Sequence, residues 1–107
     1  MRRGEIWLVA GGVYASKPRP ALIVQDDRFD TDSVTVCPFT TTDIDAPLLR
    51  LEVPADPTSG ISQRSFIMID KLTTVRRTNV GAMVGRLSST QLVEFERRAI
   101  VFLGLAG

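Results

Sequence analysis

The sequence predicts a mainly β fold: a small, strongly curved antiparallel sheet, closed or nearly closed, with one helix at the C-terminus. Six short runs rich in β-forming residues follow one another with short polar connections between them. A single helical pattern begins only after residue 87. At 107 residues, the chain has the length of one domain, residues 1–107, with one modest core.

The first three strands are predicted at residues 5–10, 21–25 and 33–40. The second strand is almost continuously apolar, so both of its faces should be buried. It follows a loop over residues 11–17 and a rigid turn, in which Pro18 and Pro20 hold Arg19 in an extended conformation. Pro38 lies near the end of the third strand and predicts an edge or a bulge there, because proline cannot donate to a ladder.

Three more strands are predicted at residues 49–53, 65–75 and 82–87. Residues 49–53 alternate between apolar and polar, which is typical of a half-exposed strand. Residues 65–75 form the longest β-like run and predict a long central strand with a bend near Asp70. A short helical turn is expected at residues 76–80.

The helix is predicted over residues 88–103. Ser88 is a suitable N-cap, Gln91 completes a capping box three residues later, and Gly104 is placed as a C-cap. The apolar residues of this segment cover more than one stripe. The helix is therefore expected either to pack deep in a small core or to contact a second copy of the chain as well.

Charge is balanced overall but unevenly distributed. Thirteen Lys and Arg stand against twelve Asp and Glu, for a net charge of +1. Residues 1–24 and 57–86 are basic, whereas residues 25–56 are acidic. If the two basic segments meet in space they form a patch for an anionic polymer, and otherwise the charge is scattered over the surface. Arg2 and Arg3 are expected to be flexible because they are terminal.

The residue inventory excludes several kinds of site. The sequence contains no histidine and one cysteine, Cys37, which excludes Ser-His-Asp catalysis, nucleases with paired histidines, and zinc sites built from His or Cys. Neither a metal nor another cofactor is expected. No apolar run reaches the length of a membrane span, and the N-terminus lacks the apolar core of a secretory signal. Together with a lone cysteine, this predicts a cytoplasmic protein without membrane contact.

Three segments resemble, in the same order, the MazF/PemK toxins of bacterial toxin–antitoxin pairs. Residues 3–7 (Arg-Gly-Glu-Ile-Trp) resemble the opening Arg-Gly-(Asp/Glu)-Ile-Trp of that family, and residues 19–24 (Arg-Pro-Ala-Leu-Ile-Val) resemble its Arg-Pro-(Ala/Val)-Leu-Val. Residues 36–41 (Val-Cys-Pro-Phe-Thr-Thr) resemble its Val-x-Pro-(Ile/Cys)-Thr. Weaker matches continue at residues 69–72 and 85–87, so the resemblance covers nearly the whole chain.

The resemblance implies a homodimer of SH3-like barrels that inhibits growth by cleaving single-stranded RNA without a metal ion, as mRNA interferases do. It implies products with a 2′,3′-cyclic phosphate and a 5′-hydroxyl, and it places the catalytic arginine at Arg19 and the catalytic threonine at Thr40. We assign RNA contacts to Lys17, Thr41, Arg64, Lys71, Arg76 and Arg77. A cognate antitoxin is expected to lay an acidic, disordered tail over the last four of these and to block Arg19.

These residue types suit the chemistry. RNA supplies its own nucleophile, the 2′-hydroxyl, and a guanidinium and a hydroxyl can stabilise charge on the phosphorane. Arginine rarely gives up a proton, which favours electrostatic stabilisation over a role as general base. The sequence departs from the family in two places: residues 14–17 lack a glutamate that some members carry, and Asp70-Lys71 replaces a frequent Asp-Gln. The cleaved sequence therefore stays open, and Asp70 is either functional or ties down a loop.

Two other functions compete with RNA cleavage. A gyrase poison of the CcdB type would share the fold without catalysis, but those toxins resemble each other in a C-terminal tryptophan, and this sequence ends with Leu105-Ala106-Gly107. A non-catalytic SH3-like binding module is the second alternative. It would not need a rigid arginine and a threonine brought together.

Overall fold

A computed structural model describes residues 1–11 and 15–105 of the chain. In chain order the strands are β1 (Glu5–Gly11), β2 (Ala15–Ile23), β3 (Ser33–Thr40), β4 (Arg50–Val53), β5 (Ser65–Met68), β6 (Thr73–Arg76) and β7 (Val80–Arg86). Helix α1 (Ser89–Phe102) follows them. Short 3₁₀ turns at Ile69–Lys71 and Arg77–Asn79 flank β6, and the second of them confirms the helical turn predicted at residues 76–80.

The seven strands form one antiparallel sheet, in the order β4-β5-β3-β2-β1-β7, with β6 paired to the first half of β3. This confirms the predicted mainly β fold with a C-terminal helix. The sheet is not closed, because the loop after β4 occupies the edge of β7: the backbone N–H of Arg86 donates to the Thr58 carbonyl at 2.9 Å. A Cβ on Gly85 would lie only 2.3 Å from the Ser59 carbonyl oxygen, so the backbone of this loop packs directly against the backbone of β7.

Two strand predictions were wrong in their bounds. β2 begins at Ala15 and runs through both prolines, where the sequence predicted a loop and a turn before residue 21. Residues 12–14 of that predicted loop lie outside the described residues. The predicted long strand 65–75 is two strands, β5 and β6, because the 3₁₀ turn at the expected bend ends one partner of β3 and starts another.

Buried apolar side chains form two clusters. The larger one contains Ile6, Leu22, Cys37, Phe39, Leu51, Val53, Ile61, Ile67, Ile69, Leu87 and Phe95. The smaller one contains Val9, Ala21, Ile23, Val34, Val36 and Val75. Neighbouring residues of β2, Leu22 and Ile23, belong to different clusters, which confirms the prediction that both faces of this strand are buried. Phe95 is the residue by which α1 enters the larger cluster.

Both ends of α1 confirm the predicted caps. Gln91 N–H donates to Ser88 Oγ at 3.1 Å, and Ser88 N–H donates to Gln91 Oε1 at 2.8 Å. At the C-terminal end, Gly104 has φ = +73°, and the N–H groups of Gly104 and Leu105 donate to the carbonyls of Val101 and Ile100. This is a Schellman motif, in which glycine accepts the left-handed conformation. Within the described residues, no helix is long and apolar enough to cross a membrane.

A partly buried ion pair and a buried thiol lie next to the sheet. Arg50, at the start of β4, pairs with Asp70, and their side chains are 11 % and 24 % exposed. The Cys37 thiol donates to the Met68 carbonyl at 3.0 Å. Burial, and to a lesser degree the Asp70 carboxylate, raise the pKa of Cys37 to about 12, so the thiol stays protonated and unreactive. Asp70 thus ties the turn after β5 to β4, one of the two roles that the sequence left open.

The expectation that Arg3 is flexible was wrong. Its backbone N–H donates to Asp27 at 2.6 Å, its Nε donates to the Val24 carbonyl at 3.1 Å, and its guanidinium pairs with Glu96 of α1 at 3.2 Å. Arg3 therefore links the N-terminus to the end of β2 and to the helix. The Arg2 side chain is exposed.

Candidate active site

The site begins where β2 and β3 diverge. Their ladder ends with Ala21 opposite Pro38; beyond it, β3 pairs with β5 and the described part of β2 continues on β1. The N–H of Val24 donates to the Thr35 carbonyl of β3 at 3.2 Å, so by strand alternation the nitrogen of Pro20, four residues earlier, also faces β3. Pro20 has no N–H to donate there, so β2 cannot continue its ladder with β3 at this residue.

This divergence opens a groove of about 650 Å³. Arg19, from β2, and Thr40, from the end of β3, both line it. Extending the ladder past Ala21 and Pro38 would place Arg19 directly opposite Thr40. Because the strands separate there, the two residues line the groove instead of pairing in a ladder.

The Thr40 hydroxyl oxygen accepts one hydrogen bond from the backbone. The backbone N–H of Thr42 donates to Thr40 Oγ1 at 3.1 Å, in a local turn that threonine favours. The hydroxyl proton is thereby left to donate to a group in the groove. Thr41 and Thr42 line the groove beside it.

Arg19 presents a charge with a constrained backbone. Both of its neighbours are prolines, and its side chain is exposed on the groove. None of the ion pairs among the described residues involves Arg19. Its five N–H donors can therefore meet an anion in the groove, and two of them can bind one phosphate in parallel.

The opposite wall was missed by the sequence analysis. It consists of residues 60–63 with Ser65, together with Val84 from β7. Gly60 is required there: its φ is +70°, and a Cβ would lie 2.0 Å from the Val84 carbonyl oxygen. Ser65 Oγ donates to the Gln63 carbonyl at 2.9 Å and fixes the rim. Pro54, Pro57 and Gly60 indicated a loop, but nothing in the sequence showed that this loop folds back over β7.

The structure separates the predicted RNA contacts into two groups. Thr41 lines the groove, and Lys17 is exposed on β2 two residues before Arg19. The remaining four residues lie outside the groove lining: Arg64 pairs with Glu52 and Asp43, Lys71 with Asp70 at 4.0 Å, Arg77 with Asp30 at 3.7 Å, and Arg76 is exposed on β6.

The groove is electrostatically simple. Arg19 is the sole ionisable side chain among the described residues that line it. The nearest carboxylate along β3 and its loop, Asp43, faces Arg64, with 3.6 Å between its Oδ2 and the guanidinium. No three Cys, Asp or Glu side chains converge as metal ligands within residues 1–11 and 15–105. The arrangement can bind an anion and stabilise added negative charge on it.

The fold and the sequence together assign the chain to a family of toxins. The family model described as "PemK-like, MazF-like toxin of type II toxin-antitoxin system" matches residues 2–103, and the chain belongs to this family. Among curated proteins it is 56 % identical, over the full length of both chains, to the "Probable endoribonuclease MazF" of Mycolicibacterium smegmatis.

Solved structures agree with this assignment. Mycobacterium tuberculosis toxin MazF-mt6 superposes with a TM-score of 0.76 at 26 % identity, over 94 % of this chain and 96 % of that one. An endoribonuclease in complex with its cognate antitoxin, from a mycobacterial species, has a TM-score of 0.79 at 20 % identity, over 98 % and 96 % of the two chains. This second similarity supports the fold alone.

Proposed function

We propose that this MazF-like toxin, an endoribonuclease like its relatives, cleaves single-stranded RNA in the groove between β2 and β3 without a metal ion. One observation carries the proposal: Arg19 and Thr40, 21 positions apart in the sequence, line the same groove where their strands diverge. The site therefore combines a fixed positive charge with an oriented hydroxyl. A phosphodiester is the substrate that such a pair suits.

In the proposed reaction, the 2′-oxygen of the RNA forms a bond to the adjacent phosphorus and the 5′-oxygen leaves. The proton of the 2′-hydroxyl passes to water, and the departing oxygen gains one to become a 5′-hydroxyl. The phosphorane carries an extra negative charge on its non-bridging oxygens. The Arg19 guanidinium contacts two of these oxygens and the Thr40 hydroxyl donates to one, so both interactions strengthen as the charge develops.

Binding extends from the same edge of the sheet. Lys17 and Thr41 flank the two catalytic residues along β2 and β3, where they contact neighbouring phosphates and riboses. Arg76 and Arg77 supply positive charge farther away, at the other end of β3. These contacts contribute affinity that weakens with salt, since each phosphate neutralised by a cation releases a counterion.

The proposal is tested by incubating the purified protein with single-stranded RNA in the presence and absence of EDTA. Cleavage should proceed at the same rate in both, because the charge on the phosphorane is neutralised by Arg19. Mass spectrometry should find 2′,3′-cyclic phosphate and 5′-hydroxyl ends. Loss of cleavage in EDTA with recovery on adding Mg²⁺, or products with 5′-phosphates, would contradict the proposal.

We also propose a homodimer that uses the outer side of α1. Four apolar side chains near its C-terminal end, Ile100, Val101, Leu103 and Leu105, are between 42 % and 73 % exposed. An exposed apolar patch of this kind is typical of an interface, and a twofold dimer is the commonest soluble oligomer.

Light scattering at micromolar concentration should give twice the chain mass. Val101→Glu should shift the protein to monomer, because it buries a charge in the interface. Phe29→Ser is the matched control, since Phe29 is 58 % exposed, nearly the same as Val101 at 57 %, but belongs to the loop after β2 and not to α1. A monomer for the unmodified chain would contradict the dimer.

The remaining partner is a cognate antitoxin, in the cytoplasm. A structural neighbour was solved with its cognate antitoxin, and the exposed Arg19 offers a charge that an acidic tail can neutralise. Arg64, Lys71, Arg76 and Arg77 are the further cations that we expect such a tail to cover. Neither a gyrase poison nor a non-catalytic binding module is favoured, because curated relatives that match 70 % or more of the chain are named endoribonucleases.

A further inference from the structure

Arg64 has an unusual set of contacts for an exposed arginine. Its Nη2 and Nε reach the two carboxylate oxygens of Glu52, each at 3.0 Å, so the pair is bidentate. Its guanidinium carbon lies 4.9 Å above the centre of the Phe66 ring. A third partner, Asp43 Oδ2, lies 3.6 Å from Nη2. The guanidinium is thus occupied by two carboxylates and one aromatic face.

These contacts lie in a row with the proposed catalytic threonine. Phe66 of β5 is paired with Thr40 of β3 on one side and with Glu52 of β4 on the other. Directly paired residues of antiparallel strands point to the same face of a sheet. The Arg64–Phe66–Glu52 stack therefore lies on the face from which the Thr40 side chain projects.

Asp43 connects the stack to the Thr40 hydroxyl. Asp43 follows Thr42, whose backbone N–H donates to Thr40 Oγ1. By attracting the Asp43 carboxylate, Arg64 draws the start of the loop after β3 towards β5. Arg64 also holds the pKa of Glu52 below its ordinary value, through the hydrogen bond between them.

We propose that Arg64 is a positioning residue for catalysis, which orients the Thr40 hydroxyl through Asp43 and the turn at residues 40–42. The inference rests on the proposed function, because it assumes that Thr40 donates to the phosphorane. It assigns Arg64 a role different from the RNA contact predicted from the sequence. An exposed ion pair stabilises a fold very little, but an error of about 1 Å in placing a catalytic group can cost about 100-fold in rate.

The test compares Arg64→Met and Arg64→Lys with the unmodified toxin in single-turnover cleavage of an RNA whose cleavage site has been mapped. Arg64→Met should lower the rate at saturating protein by about 10- to 100-fold. Its affinity for the same RNA carrying a 2′-deoxynucleotide at the cleavage site, and the salt dependence of that affinity, should not change. Arg64→Lys should recover part of the rate, because an ammonium keeps the charge but loses the bidentate geometry.

Arg28→Met is the matched control. Arg28 also pairs with a carboxylate, Asp26, at 3.1 Å and lies over an aromatic ring, that of Phe29, at 5.7 Å. None of the described residues of its loop lines the groove, so this variant should cleave at the normal rate. A loss equal to that of Arg64→Met would show a general effect of removing surface charge and would overturn the inference.

Combining the Arg64 and Thr40 substitutions tests whether Arg64 acts through the Thr40 hydroxyl. In a Thr40→Ala background, Arg64→Met should cause no additional loss, because the residue acts through the missing hydroxyl. If Arg64→Met lowers the cleavage rate as much in the Thr40→Ala background as in the unmodified toxin, the inference is overturned. It is also overturned if Arg64→Met weakens RNA binding and lowers the salt dependence of the affinity by about one phosphate contact, because Arg64 would then be a phosphate contact.

If Thr40→Ala itself cleaves normally, the proposed role of Thr40 in catalysis is wrong. If Thr40→Ala is inactive but Arg64→Met is normal, only the positioning role fails.

Discussion

Arg19→Ala should slow single-turnover RNA cleavage by at least about 100-fold, which corresponds to roughly 3 kcal/mol of transition-state stabilisation. Arg19 is the sole ionisable side chain among the described residues of the groove, so no neighbouring cation there can replace it. Arg19→Lys should also fail, because an ammonium cannot contact two phosphate oxygens in parallel. Since Arg19 is exposed, circular dichroism should show an intact fold in both variants.

Arg2 is the control for Arg19. Its exposed side chain lies outside the groove lining, so Arg2→Ala should lower RNA affinity by a salt-dependent amount and leave the rate at saturation unchanged. Arg3 cannot serve as a control because it is anchored to Val24 and Glu96. Equal rate losses in Arg2→Ala and Arg19→Ala would mean that the groove needs only general positive charge.

Asp70→Asn should destabilise the fold by roughly 3 kcal/mol. It leaves Arg50, whose side chain is only 11 % exposed, without its counter-charge. The Nε of Arg50 is already buried without a hydrogen-bond partner among the described residues, so the local structure has little capacity to compensate. Denaturant titration followed by circular dichroism measures the free energy of unfolding directly.

Two control variants test whether the loss of stability in Asp70→Asn comes from leaving the Arg50 charge unpaired. Asp26→Asn removes a carboxylate from an exposed pair, with Arg28 80 % and Asp26 47 % exposed, and should cost less than about 1 kcal/mol. The double variant Arg50→Met/Asp70→Leu should be more stable than Asp70→Asn, because no buried charge is left unpaired. A double variant less stable than Asp70→Asn would contradict this account of the ion pair.

The helix and its caps were predictable because their determinants are local. Ser88, Gln91 and Gly104 act within one turn of the helix end, so their spacing alone predicts the hydrogen bonds observed. The strands were predictable from composition and alternation, but not their partners. β3 pairs with β6 in its first half and with β5 in its second, and only the folded chain shows that Pro38 lies at this change of partner.

Pro18 and Pro20 show why the start of β2 was misjudged. Considered one residue at a time, each proline indicates a turn. In the sheet, β1 pairs with Pro20 in regular register and the Pro20 nitrogen faces the open side of β2, where no ladder bond is required. The lack of an N–H at this position also ends the ladder between β2 and β3, where the groove opens. The prolines that led us to predict a turn therefore also help to form the site.

The candidate catalytic residues came from motifs at the ends of two strands, and the structure places both on one groove. The opposite wall could not be predicted, because its position depends on residues 58–60 packing against β7. Arg64 was judged by its charge alone. Its actual surroundings, Glu52, Asp43 and Phe66, come from three separate segments of the chain.

The most direct test of the central claim is a double-mutant cycle on Arg19 and Thr40, measured as single-turnover cleavage in EDTA with folding checked by circular dichroism. If both side chains stabilise the same phosphorane, each alanine variant should be strongly impaired, and the double variant should lose much less than the product of the two losses. A near-normal rate in folded Arg19→Ala, or losses that simply multiply, would contradict a shared catalytic site in the groove.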